Sequence, residues 1–92
     1  MPRHDSLTLP DGTWVEITAS DTSRVTFQNR SSRTVLVCGT EAGGAPSADG
    51  ALTLLPGQGV TGADPADLWP GIAATRLHAL AEGGGRIMVS HA

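Results

Sequence analysis

The sequence predicts an all-β chain folded as a small antiparallel β-sandwich or barrel of about seven or eight short strands. Three observations carry this prediction. Apolar residues recur at a period of two, Val25 and Phe27 against Thr26 and Gln28, then Leu77, Ala79 and Ala81 against their neighbours, which is the spacing of a half-buried strand. Clusters of Gly, Pro, Asp and Ser break the chain about every ten residues, a spacing that suits short strands joined by tight turns. Finally, Pro56-Gly57 and Gly83-Gly84-Gly85 suit turns with positive φ and exclude helix at those points.

Residues 1–12 carry Pro2 and Pro10 with Leu7 and Leu9 alternating between them. Because proline lacks a ladder donor, this segment is expected to be an extended arm or a short edge strand, with a single sandwich domain over residues 13–92. Asp11-Gly12 turns the chain into residues 13–19, where Val15 and Ile17 face inward and Trp14, Glu16 and Thr18 face outward. The polar cluster 20–23 then leads into residues 23–38. Here two alternating runs flank Asn29-Arg30-Ser31-Ser32-Arg33, and the expectation is a hairpin with Phe27 opposite Val35, the core ribbon of the domain.

Residues 39–50 are too rich in Gly, Pro and Ala for regular structure and are expected as a surface loop. An apolar strand over 51–55 stops at Pro56-Gly57-Gln58-Gly59, and Val60 and Thr61 begin another. Asp64 is placed to cap a single helical turn opened by Pro65, which Pro70 and Gly71 end. Residues 76–90 read as a second hairpin, with Leu77, Ala79 and Ala81 on one face, a glycine turn, and Ile87 and Val89 on the matching face.

A chain of 92 residues forms one domain whose core is shallow, since this size buries only about 60 to 65% of the unfolded surface. Stability is expected to lean on neighbouring subunits. Six Arg, no Lys and a net charge of -3 offer no basic stripe along which to track phosphates, so nucleic acid is not an expected partner. Cys38 is the single cysteine, which rules out an intrachain disulfide and a thiolate zinc site. No apolar run has the length of a signal peptide or a membrane span, and neither secretion by the general route nor a membrane partner is expected.

No residue pattern points to catalysis, and no enzyme activity, cofactor or metal is expected. His78 and His91 fall on opposite faces of their ribbon and cannot share a metal. Asp64 and Asp67 sit in a capped turn, where aspartate has a structural reason to be. No serine stands in a G-x-S-x-G context, and the glycine triplet lacks the lysine and helix of a phosphate loop. What remains are apolar residues on the wrong face. Leu36 and Cys38 alternate out of phase with Val35 and Val37, and Leu80 and Met88 do the same in the last two strands. With Leu7 and Leu9 of the arm and with Trp14 and Trp69, which suit interface anchors, Leu36, Leu80 and Met88 make up the candidate subunit interface. Readings within the domain stay open beside it: Trp14 as cover for the sandwich edge, Trp69 as a plug closing one end of the barrel, and Leu36 with Cys38 buried under residues 62–75.

Three blocks, V-T-F-Q-N-R-S-S-R-T-V-L-V (residues 25–37), L-T-L-L-P-G-Q-G-V (52–60) and L-H-A-L-A-E-G-G-G-R-I-M-V-S (77–90), resemble the small β-sandwich virion proteins of tailed phages and gene transfer particles. The resemblance covers about half of the chain, and residues 62–75 are longer than that pattern. It implies a non-enzymatic virion structural protein, a capsid decoration or cement protein or a head spike or fibre component. Such a protein forms a symmetric homo-oligomer, a trimer or pentamer, and binds a major capsid or other virion protein on the particle surface after assembly in the host cytoplasm. The residues leave two alternatives open. One is a glycan-binding module using Trp14 or Trp69 with the 39–50 loop, and the other is an accessory or inhibitor subunit that inserts this loop into a partner's cleft.

Overall fold

The computed structural model describes residues 3–92, which form eight strands and one helical turn. The strands are β1 (Arg3–Leu9), β2 (Val15–Glu16), β3 (Val25–Asn29), β4 (Val35–Thr40), β5 (Leu52–Leu54), β6 (Gly59–Ala63), β7 (Arg76–Leu80) and β8 (Gly85–His91), with helix α1 (Pro65–Leu68) between β6 and β7. They make two four-stranded sheets of order β1-β8-β3-β6 and β2-β7-β4-β5, with every named pairing antiparallel. The all-β sandwich expected from the sequence is thus the fold. Its connectivity is that of a jelly roll: β1 pairs with β8, β3 with β6, β2 with β7 and β4 with β5, as in one long ribbon rolled on itself.

Successive strands therefore change sheets at every connection except β4 to β5, and this overturns both expected hairpins. β3 does not pair with β4. Phe27 lies between Val89 and Val60 in the first sheet, whereas Val35 lies beside Leu54 in the second. Their apolar sides do share one core, but from opposite sheets. The cause is Asn29, which is 1% exposed. Its Nδ2 donates to the Arg33 carbonyl at 2.7 Å and the Leu54 carbonyl at 3.0 Å, while its Oδ1 accepts from Ser31 N at 2.9 Å and Ser31 Oγ at 2.7 Å. Every donor and acceptor of the amide is used, so it ties the end of β3 to the second sheet and turns the polar run into a corner.

The same holds at the end of the chain. β7 pairs with β2 and β4, and β8 with β1 and β3, so residues 81–84 cross between sheets. Gly83 and Gly84 take φ of 83° and 82° there, and Gly83 N donates to Asp11 Oδ1 at 2.6 Å. The face assignments stand. Leu77, Ala79, Ala81, Ile87 and Val89 are fully buried and join Leu9, Ile17, Val25, Phe27, Val35, Val37 and Leu54 in a single core.

Other local signals act as the residues dictate. Pro56-Gly57 makes a turn closed by Gln58 N to the Leu55 carbonyl at 2.9 Å, with Gly57 at φ 82°. Asp64 Oδ1 accepts from Ala66 N at 2.9 Å and caps the turn that Pro65 opens. Two expectations need correction. β4 runs on through Gly39 and Thr40, both buried, so the surface loop starts at Glu41 and carries a 3-10 turn at Ala48–Gly50. Thr18 is buried rather than outward, because β2 ends at Glu16 and the Thr18 hydroxyl then turns in to accept from Leu77 N at 3.2 Å. Residues 3–9 take the edge-strand form, so the sheet begins inside the segment expected as an arm; Met1 and Pro2 lie outside the described residues.

Candidate interaction surface

The two outer faces of the sandwich differ in character. On the first sheet, cross-strand register sets Ser6, Met88 and Gln28 in one row and His4, Ser90 and Thr26 in the next. That face is polar apart from Met88, as the solvent side of an antiparallel sheet should be. On the second sheet, Leu80, Leu36 and Thr53 form one row, and Glu16, His78 and Cys38 form the adjacent one. Trp14, half-buried, immediately precedes β2. Leu55, just past β5, is 53% exposed. The apolar row ends in an open groove of about 500 Å³ whose floor is Leu36, Leu80 and Pro56 and whose rim is Ser32, Arg33, Thr34 and Glu82.

The structure sorts the expected interface residues accordingly. Leu36 and Leu80 come together, both half-buried, while Trp14, also half-buried, stands just before β2. Leu9 is a core residue at 1% exposure and cannot meet a partner; its position ends the edge strand on the inward side. Leu7 also packs inward against the core. Met88 stands on the other sheet, among polar neighbours. Trp69 is a plug at one end of the core: its ring lies over Gly39, where a Cβ would come within 2.7 Å of Cδ2, and its Nε1 donates to the Gly50 carbonyl at 2.6 Å.

Sequence reasoning missed Leu55, Arg33 and Glu82 at this surface. Leu55 was within reach, since the pair Leu54-Leu55 in an alternating strand must put one leucine on the outer face. The rim charges were not, because they come from two different corners. Neither Arg33 nor Glu82 has an ion-pair partner among the described residues. Ile72, at 44%, is the other large exposed apolar side chain among the described residues.

Beyond the apolar row the face becomes ionic. Arg76 donates to Asp21 Oδ1 at 2.7 Å and to Glu16 Oε1 at 3.1 Å. The bond from Arg76, with a second from Thr75, holds the Asp21 carboxyl below its ordinary value and raises Arg76 in turn. His78, between Glu16 and Cys38, is pushed below its ordinary value of 6.5 by burial, against an opposing pull from the Glu16 charge. Here alone a thiol, an imidazole and a carboxylate occupy one cross-strand row. They do not engage one another: His78 Nδ1 meets Thr40 Oγ1 at 3.4 Å, and the Cys38 thiol donates to the Gly39 carbonyl at 3.5 Å. His91, as its face predicts, is buried, and its Nε2 accepts from Ala19 N at 3.0 Å. No group of three or more His, Cys, Asp or Glu side chains converges as a metal site among the described residues, and none of their helices is long and apolar enough to cross a membrane. Set against known proteins, the chain matches no family model, no curated protein and no solved structure.

Proposed function

We propose that this chain is a structural subunit that acts by binding copies of itself within a larger assembly, of the virion type its sequence resembles, rather than by transforming a molecule. One observation supports this reading above the others. The outer face of the second sheet carries an apolar pair, Leu80 and Leu36, continued by Pro56 at the groove, where the first sheet is polar apart from Met88. Apolar side chains gathered on a solvent face mark a surface that another molecule covers. A jelly roll by itself assigns no activity; the apolar face, not the fold, supports self-association.

Light scattering during gel filtration tests it. The wild-type mass should rise above 9.4 kDa as the loaded concentration increases, and the plateau gives the order, three or five if the resemblance holds. Leu80→Asp should associate less than the wild type at every concentration while still unfolding in one cooperative transition. A wild-type chain that remains monomeric at every concentration overturns the proposal.

A further inference from the structure

The manner of self-contact can be narrowed, on the reading that the chain assembles with copies of itself. The open edges of the sheets are poorly suited to it. Arg30 N donates to the Arg86 carbonyl at 3.0 Å, which shows that even-numbered residues of β8 turn their backbone groups toward β3 and odd-numbered ones toward β1. In β1 the odd residues are therefore engaged, and His4, Ser6 and Thr8 present N–H and C=O to the open edge. Ser6 N already donates to Asp5 Oδ1 at 3.1 Å. Pro10, on the same parity, has no N–H to offer. Arg3 and Asp5 sit on the core-facing parity of this edge, a charge placement that discourages strand addition. The other edges are blunted too: β6 by a register shift with Gly62 at φ 58°, and β2 and β5 by lengths of two and three residues.

Face contact remains, and the groove says with what. Its floor of Leu36, Leu80 and Pro56 is apolar, and its rim offers one cation, Arg33, and one anion, Glu82, neither ion-paired among the described residues. A partner of one charge sign would satisfy only half of that rim. A second copy related by a two-fold axis satisfies all of it, because each Arg33 then meets the other copy's Glu82, and each Leu36 the other's Leu80, across an axis running between β4 and β7. We infer that the outer face of the second sheet, centred on this groove, is a two-fold contact between two copies of this chain. Where rings of three or five form through other surfaces, the contact joins one ring to the next.

Four strands about 4.8 Å apart give a face of roughly 15 by 20 Å. That is smaller than the ~800 Å² per partner of a standard interface, so the isolated dimer is weak and gains strength only when many copies are held together.

The test uses two single variants of the whole chain, Arg33→Glu and Glu82→Arg. Each alone sets like charges against each other across the axis, and its dimerisation should weaken by about tenfold or more in sedimentation velocity at up to about 1 mM protein. An equimolar mixture of the two should regain wild-type association, since the mixed dimer restores both opposite-charge pairs. No rearrangement within one chain produces that recovery. Both positions are exposed, and equal melting temperatures confirm the fold. Variants that associate as the wild type does, or a mixture that fails to recover, overturn the two-fold contact and leave assembly through another surface standing. A wild type that never associates overturns both.

Discussion

Replacing Asn29 by alanine separates the rolled topology from a simple ribbon. In a hairpin, Asn29 would open an exposed turn, and its loss would change stability by no more than about 0.5 kcal/mol. In the corner it is buried, with its amide making four hydrogen bonds. The bond to Leu54 is the buried one, and stranding that carbonyl costs about 1–3 kcal/mol. The bonds to Arg33 and Ser31 are partly solvated and add a net ~0.5 kcal/mol each at the low end of the usual range. The expected loss is about 3 kcal/mol, which for a domain of this size lowers the melting temperature by roughly 10–25 °C. Urea unfolding followed by far-ultraviolet circular dichroism measures it, with an unchanged slope showing that the folded state is otherwise the same. Asn29→Asp should lose more than Asn29→Ala, because a carboxylate oxygen would then face two carbonyl oxygens. A loss below about 1 kcal/mol for alanine would refute the reasoning, since one stranded buried carbonyl alone exceeds that.

Two further outcomes follow from side-chain environments. Gly39→Ala should cost about 1–3 kcal/mol by overpacking, because the new methyl meets the Trp69 ring; tryptophan emission should shift as the ring lifts and its bond to Gly50 breaks, and an unshifted spectrum with full stability would contradict the plug. His78 favours its neutral form in the folded chain, so the stability it contributes is complete above its ordinary value of 6.5 and is lost as pH falls through its lower folded value. Its surroundings are Glu16, Arg76, Thr40 and Cys38. Thermal unfolding should therefore show a loss as pH falls below 6.5 that is smaller in His78→Gln, whereas the Asp21–Arg76 pair should respond only below 3.8, the ordinary Asp21 value. Equal losses in the two proteins would contradict this assignment.

What could be read from the sequence was which way most strand side chains face, with Thr18 and Leu9 as exceptions. The period of two placed Val25, Phe27, Val35, Val37, Leu77, Ala79, Ile87 and Val89 in the core, and turn chemistry placed Gly57 at positive φ and Asp64 as a cap. What could not be read was which strand lies beside which. A five-residue polar run between two alternating strands satisfies the pattern equally as a hairpin loop or as a crossing between sheets, since both bury the same side chains. The choice is made by Asn29, whose second carbonyl partner, Leu54, lies 25 residues away. For the same reason the candidate interface was legible only in part. Leu36 and Leu80 were marked by their phase, but their meeting across β4 and β7, and the joining of Arg33 with Glu82 at one groove, depend on pairings set by the roll. Leu9 was misplaced because an apolar residue near a chain end gives no sign of whether it turns inward, whereas Trp69 had two readings, end plug or interface anchor, and packs as the plug.

The most direct test of the central claim is a dilution series of amide chemical shifts on the labelled chain. The account predicts concentration-dependent shifts at Leu36, His78, Leu80 and Glu82 on the second sheet and none at Ser6, Gln28 or Met88 on the first. Shifts confined to the first sheet, or a spectrum that does not change with concentration, would contradict it.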